Sequence, residues 1–324
     1  MLKKACYIVS ALLLISLLCG CSSQAQSEDE NTANNEPAKA QVTVVVTQDF
    51  GKEFILEEVV GIEADTTALA ALQMAAEVET RYGGRFVNAI NGIGSEHEGA
   101  NGGKKDWFIY INGIQSNVGA ADYKLKDGDI EHWDFRDWSY QMSVPAIVGD
   151  FPQPFLSGYQ EKMKPTSVVY EESFSSEAEV LVEKLKGLGV TIVSAVHCDI
   201  LSDETKADNN LIIIALSDNR LIKEVNDARK KLGFYLNIQQ GELTVLDTEG
   251  NQSGKFGEGS GLIQATQNPW YPEGIGSGEN VVWMITGTDK DGVNSAVELL
   301  IKYPGKLKYA YSVMISKGKV LKVP

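Results

Sequence analysis

Aromatic and amide side chains that could bind a ligand come close together between residues 86 and 135. Trp107 begins an apolar strand that ends at the turn dipeptide Asn112-Gly113. The glycine-rich segment 91–105 and the loop after Gly113 join adjacent strands, so we expect both to project from one end of a sheet. We predict that the following residues meet there: Ile93, Trp107, Ile114, Gln115, Ser116, Asn117 and Val118. An indole or aliphatic platform edged by amides suits a flat, apolar ligand with a polar rim.

The same residues also have a structural interpretation. Aromatic side chains in a small β-domain commonly form the core or cross-strand pairs. We expect this of Tyr110, Tyr123 and Phe135, which recur on predicted strands. For Trp107 and the loop 114–118, ligand binding and a structural role are equally compatible with the sequence.

Nucleophilic catalysis has little support in the sequence. Cys198 ends a β-branched run and is expected in the core, because its neighbour His197 would point to the opposite face of a strand. No G-x-S-x-G turn is present, and no Ser-His-Asp or Cys-His-Asn set is evident. A hydrolase that uses a pair of carboxylates stays possible, since acidic residues are plentiful. We expect a protein that is not an enzyme.

The N-terminus has the pattern of an export signal. Lys3 and Lys4 precede an apolar run from Ala5 to Leu18, which is too short for a membrane span of about 20 residues. The following Leu18-Cys19-Gly20-Cys21 resembles a bacterial lipoprotein box. The resemblance implies that residues 1–20 are a signal peptide, and that Cys21 carries a lipid holding the protein on the extracytoplasmic face of the cell membrane.

Composition divides the rest of the chain into a tether and two domains. Residues 21–41 contain no aromatic or large aliphatic residue, which predicts a flexible tether. Residues 42–142 are mostly β with one helix, whereas 143–324 alternate β and α, as in a sandwich with a partly parallel sheet. Residues 210–216 are almost wholly apolar, so we expect that strand to be covered on both faces. The predicted fold class is α+β.

The net charge of -15 argues against nucleic-acid partners, which select basic surfaces.

The segment 86–135 resembles the C-terminal β-domain of the transcobalamin and intrinsic-factor family. The matching features are the Asn91-Gly92-Ile93 turn, Trp107, Asn112-Gly113, the Asp122-Tyr123 pair and Asp127-Gly128-Asp129. The resemblance implies a small β-grasp-like fold over residues 42–142. The large helical domain that precedes this module in animal cobalamin carriers is absent from this sequence.

The resemblance also implies a function in binding cobalamin or a related corrinoid. It places ligand contacts on Trp107, Ile114, Gln115 and Asn117, and more weakly on Ile93 and Gly94. His97 or His132 could reach the cobalt, but we expect His132 to be a half-exposed strand residue, and no metal ligand is assigned.

On this hypothesis the protein hands its corrinoid to a membrane transporter. An alternative is a cell-envelope interaction or adhesion module that binds protein or glycan.

Overall fold

The computed structural model describes residues 40–95, 103–239, 241–276 and 280–324. Residues 39–324 form one compact unit of mixed α and β structure, which confirms the α+β class. The elements before residue 143 are β1 (Gln41–Gln48), β2 (Glu53–Gly61), α1 (Ala68–Ala75), β3 (Val78–Arg81), β4 (Phe86–Ile90), β5 (Ile93–Gly94), β6 (Lys105–Ile111), β7 (Ile114–Gln115) and β8 (Ile130–Asp137).

These strands form a five-stranded sheet and a three-stranded sheet. The larger sheet has the order β2-β1-β8-β6-β7, in which β1 and β8 run parallel and the other pairs are antiparallel. Helix α1 begins after Thr67, whose hydroxyl accepts a hydrogen bond from the backbone N–H of Ala70. The smaller sheet has the order β3-β4-β5.

The second part of the chain builds a seven-stranded mixed sheet and a small antiparallel one. Its elements are β9 (Thr166–Tyr170), α2 (Ser175–Gly187), β10 (Val193–His197), α3 (Asp203–Asp208), β11 (Asn210–Ile214), α4 (Arg220–Asp227), β12 (Leu236–Gln239), β13 (Glu242–Leu246), β14 (Gln252–Phe256), β15 (Gly261–Gln267), β16 (Val281–Gly287), α5 (Lys290–Lys302), β17 (Ser312–Ser316) and β18 (Lys319–Val323). The large sheet has the order β10-β9-β11-β16-β15-β17-β18, with its first four strands parallel.

Both faces of the large sheet are covered, as the apolar run at 210–216 predicts. Helices α2 and α5 pack on one face, against side chains such as Ile212 and Ile214. Helix α4 and the β12-β13-β14 sheet pack on the other face, against Leu211 and Ile213. All four of these β11 side chains are fully buried, which explains why the strand shows no polar alternation.

The five-stranded sheet is also covered on both faces. Val44, Val46 and Trp133 belong to the core that includes α1. Tyr110, on the opposite face, packs edge-on against Tyr311, with ring centroids 5.4 Å apart. That contact belongs to a hydrophobic cluster between the two large sheets, which also contains Phe50, Val144, Ile147 and Tyr235.

Two sequence-based expectations about burial are wrong. In both cases the position of the residue in its sheet explains the difference. His132 is fully buried and not half-exposed, because β8 lies in the middle of a sheet with both faces covered. Cys198 is only partly buried, because β10 ends at His197 and the cysteine begins a short 3-10 turn at the sheet edge. Tyr110, Tyr123 and Phe135 are buried, as predicted.

Candidate ligand-binding cleft

A cleft of about 300 Å³ lies on the face of the five-stranded sheet that is turned away from α1. Its volume is at the lower end of the range for small-molecule sites. Its walls come from β1, β2 and β8, from the segment 149–152, and from the 3-10 turn after α5. The lining residues are Thr43, Val45, Glu57, Ile130, Gly149, Asp150, Phe151, Pro152, Leu188, Pro304, Gly305, Lys308 and Tyr309. A mainly apolar wall with a few polar groups is typical of binding sites for small molecules.

Glu57, Lys308 and Tyr309 form a polar group at the cleft. The Lys308 ammonium lies 2.7 Å from Glu57 Oε2, and the Tyr309 hydroxyl donates to the same oxygen at 2.6 Å. Partial burial alone would raise the pKa of Glu57, but the hydrogen bonds from Lys308 and Tyr309 hold this pKa below its ordinary value. The bond to Glu57 also raises the pKa of Lys308. The pair therefore stays charged at neutral pH.

The backbone of Tyr309 is held in a conformation that non-glycine residues rarely adopt. Its φ is 70°, in the left-handed region. A Cβ atom at Gly51 would lie 1.6 Å from the Tyr309 carbonyl oxygen, and one at Gly149 would lie 2.5 Å from the Tyr309 carbonyl carbon. Because Gly51 and Gly149 have no Cβ atom, their chain segments can pack directly against the backbone of Tyr309. Rare backbone conformations cluster at functional sites.

A chain of buried hydrogen bonds runs from the cleft into the sheet. Asp150 Oδ1 lies 2.8 Å from His132 Nδ1, and His132 Nε2 lies 3.0 Å from Thr47 Oγ1. The Thr47 hydroxyl donates to Asp134 Oδ1 at 2.6 Å. All four side chains are nearly or fully buried.

The direction of these bonds determines where the protons lie. Because Thr47 gives its proton to Asp134, His132 Nε2 must carry the proton in its contact with Thr47. The contact between His132 Nδ1 and Asp150 then also holds a proton, on the imidazole or on the carboxyl. Asp150 Oδ2 is buried and has no hydrogen-bond partner among the described residues. Asp150 lines the cleft, so this buried oxygen without a partner lies just behind the cleft wall.

The residues that the sequence predicts as ligand contacts fall into three groups. Trp107 and Ile93 do meet, because the buried indole Nε1 donates to the Ile93 carbonyl oxygen at 3.0 Å; Gly94 follows Ile93 on β5. Ile114 is fully buried on β7. Gln115 Oε1 accepts a hydrogen bond from Ser143 at 2.7 Å.

Ser116 and Asn117 form the third group, around the buried ring of Tyr159. The Tyr159 hydroxyl donates to Asn117 Oδ1 at 2.8 Å and lies 3.1 Å from Ser116 Oγ. Asn117 Nδ2 donates to the Gly276 carbonyl oxygen. This hydrogen bond connects the loop 114–118 to Gly276, which is distant in the sequence. Asn117 is exposed and forms part of the outer surface of the loop.

None of the polar residues at the cleft was predicted from the sequence. Glu57 is one of many acidic residues on predicted strands, and Lys308 and Tyr309 lie 251 and 252 residues further along the chain. No spacing rule connects positions so far apart. The predicted signal peptide, the lipidated Cys21 and nearly all of the predicted tether lie outside the described residues, as does His97.

Comparison with known proteins gives limited matches. Residues 65–137 match the model of a family described as "Domain of unknown function (DUF4430)", and this match ends with the last residue of β8. No curated protein matches the chain. The chain is similar to the crystal structure of a "putative metal binding protein" from Ruminococcus gnavus ATCC 29149. That match has 20% sequence identity and a TM-score of 0.23, and covers 31% of this chain and 98% of the other. In the described part of the chain, no helix has the length and apolarity to cross a membrane.

Proposed function

We propose that this protein is a non-enzymatic binding protein for a small molecule, and that the cleft at Tyr309 holds the ligand. The observation that carries the proposal is the convergence of Glu57, Asp150, Lys308 and Tyr309 on one mainly apolar cleft. These residues come from three separate segments of the chain. A ligand held among them would connect the five-stranded sheet to the segment that follows α5.

The polar groups of the cleft indicate what the ligand must offer. Glu57 is already paired with Lys308 and Tyr309, so this group is rigid before a ligand enters. Asp150 Oδ2 has no hydrogen-bond partner among the described residues. The ligand would therefore carry an apolar body and an N–H or O–H donor directed at Asp150.

The buried chain behind Asp150 supports binding over catalysis. Thr47, His132 and Asp150 have the order of a nucleophile, a base and an orienting carboxylate. The Thr47 hydroxyl is fully buried, however, and its proton is directed to Asp134 and not to the histidine. A hydroxyl held in this way is not available to attack a substrate, so the chain serves to hold Asp150 in place.

We also propose a corrinoid as a second candidate ligand, held at the loop 114–118, on the basis of the resemblance of segment 86–135 to the cobalamin carriers. Its amide arms would contact Gln115 and Asn117 on the outer side of the loop. The loop and the cleft have no lining residue in common, so substitutions distinguish them. Cobalamin is also far larger than the cleft, which could hold only one of its side arms.

The test is an absorbance titration of the full chain with cyanocobalamin. We expect binding to be weakened at least tenfold by Gln115→Ala with Asn117→Ala if the loop holds the corrinoid. Val45→Trp places a larger side chain in the cleft. It should weaken corrinoid binding if the cleft, and not the loop, is the binding site. Glu58→Gln, on the exposed side of β2, is the matched control. No binding by the wild type would rule out the corrinoid.

Occupancy of the cleft is tested separately from the identity of the ligand. Protein purified from its native host under non-denaturing conditions is compared with the Val45→Trp variant by native mass spectrometry. We expect a bound small molecule on the wild type that is absent from the variant. An equal mass excess on both proteins, or none on either, would contradict a ligand in the cleft.

We further propose that a lipid on Cys21 holds the protein at the extracytoplasmic face of the membrane, beside the transporter that receives its ligand. The lipoprotein-like box at residues 18–21 supports this proposal. Labelling of growing cells with a fatty-acid analogue should mark the wild type and not Cys21→Ser. Label on the Cys21→Ser variant would contradict the assignment.

A further inference from the structure

A groove runs between the hairpins β13-β14 and β17-β18. Two adjoining cavities of about 450 and 590 Å³ form this groove, and Phe256 and Leu321 line both of them. The other lining residues come from the same four strands and from the turns that follow β1, β13, β14 and β17. None of them lines the Tyr309 cleft, so the groove is a separate surface of the protein.

The floor of the groove is apolar. Met314 and Val323 are buried on the seven-stranded sheet and belong to the same hydrophobic cluster as Val245 of β13. Phe256 and Leu321 pack against this cluster but are only half-buried. The part of these two side chains that stays exposed gives a partner an apolar surface to cover.

The groove is bordered by two edge strands. Among the described residues, β14 pairs with β13 alone, and β18 pairs with β17 alone. One side of each strand therefore has backbone N–H and C=O groups that no described strand pairs. A row of this kind is a template on which an extended segment of another chain can add as a further strand.

The rim of the groove is basic, whereas the protein as a whole has a net charge of -15. Lys52 and Asp49 form an ion pair at one end, and Lys255 pairs with Glu242 on β13. Lys317 and Lys319 are exposed and form no ion pair with the described residues. The charged lining residues are Lys52, Lys255, Lys317, Lys319, Lys322, Asp49, Asp247 and Glu258.

Strand β18 combines these features on one face. Lys319, Leu321 and Val323 are alternate residues, so their side chains point to the same side of the strand. They are exposed, half-buried and buried in that order, which gives the face a charged end and an apolar end. A strand that adds beside β18 would meet this pattern through its own alternate side chains.

The charges determine which strand can add. Lysines on edge strands repel one another when two copies of a chain meet edge to edge, which disfavours self-association. The same lysines attract acidic side chains. We propose that β18 binds an extended segment of a partner protein, whose acidic side chains contact Lys317 and Lys319 and whose apolar side chains cover Leu321 and Phe256.

The test is fluorescence anisotropy of labelled peptides with the full chain. The probes are Thr-Glu-Thr-Glu-Thr-Val-Thr-Val and its reverse, which together cover both strand directions. We expect one of them to bind. A fully N-methylated form of that peptide has the same side chains but no backbone N–H groups, and should bind at least tenfold more weakly because it cannot pair with an edge strand.

Charge reversal locates the binding site. Lys317→Glu with Lys319→Glu should weaken binding of the acidic peptide at least tenfold, and should instead allow binding of a peptide with lysine in place of glutamate. Both lysines are exposed, so the fold does not depend on them. The matched control is Lys230→Glu with Lys231→Glu, which makes the same change of charge at exposed residues outside the groove. This control should bind the acidic peptide as the wild type does.

Several results would overturn the proposal. They are the absence of binding by both acidic peptides, equal binding of the N-methylated peptide, and equal loss of binding in the two charge-reversed variants. Equal affinity for a labelled single-stranded oligonucleotide would also overturn it, because the groove would then be a general surface for anions and not a site for a strand.

Discussion

Glu131 is a buried carboxyl whose protonation makes stability depend on pH. It is fully buried on β8, and Oε1 accepts a hydrogen bond from Trp133 Nε1 at 2.6 Å. Oε2 accepts none from the described residues. Burial raises the pKa of Glu131 well above its ordinary value of 4.5, and the bond from Trp133 offsets this rise only in part. The carboxyl is therefore favoured in its neutral form when the chain is folded.

Glu131→Gln should remove this dependence. From pH 4.5 up to the folded pKa the folded chain holds a proton that the unfolded chain has lost, so the free energy of unfolding falls as pH rises. The fall is about 1.4 kcal/mol for each pH unit in that window. In urea unfolding, we expect the variant to match the wild type at pH 4 and to exceed its stability at pH 8. The exposed Glu58→Gln should behave as the wild type, and equal pH profiles for all three proteins would contradict the prediction.

At the scale of elements, Gly149 is one of two glycines, with Gly51, that let the segment 304–309 close on the sheet. A Cβ at Gly149 would lie within 2.7 Å of three backbone atoms of Tyr309 and Ala310. Gly149→Ala must therefore push this segment away, which we expect to cost about 1–3 kcal/mol of folding stability, as overpacking does.

The matched control for Gly149→Ala is Gly305→Ala. Gly305 also lines the cleft, but a Cβ there would meet no atom within 4 Å. We expect its stability to stay within about 0.5 kcal/mol of the wild type. Chemical denaturation of both variants checks this, and equal stability of Gly149→Ala and the wild type would show that the contact yields without cost.

At the scale of the whole molecule, Arg136 joins the two large sheets. Its guanidinium lies 3.6 Å from the centre of the Phe108 ring and 6.0 Å from that of Tyr311. It also donates to the backbone oxygens of Gln141 and Met142, at 3.0 and 2.9 Å. The side chain is 1% exposed, so these contacts are protected from water.

Arg136→Ala should lower the free energy of unfolding by at least about 3 kcal/mol. The loss has two sources, hydrogen bonds from a buried charge and the cavity left by the side chain. Calorimetry should show a lower Tm for this variant. Arg85→Ala removes a guanidinium whose ion pair with Asp122 is exposed, and should cost less than about 1 kcal/mol. Similar effects of the two substitutions would contradict the role of Arg136.

Local sequence patterns were sufficient to predict the α+β class, the burial of Tyr110 and Tyr123, and a β11 strand covered on both faces. These features follow from local periodicity and residue type, which a short window of sequence contains. The packing of the two large sheets was needed to show that Glu57 meets Lys308 and Tyr309, and that His132 is buried against Asp150. Those contacts depend on which face of one sheet packs on the other. No local sequence pattern encodes that choice, because Glu57 and Lys308, for example, are 251 positions apart.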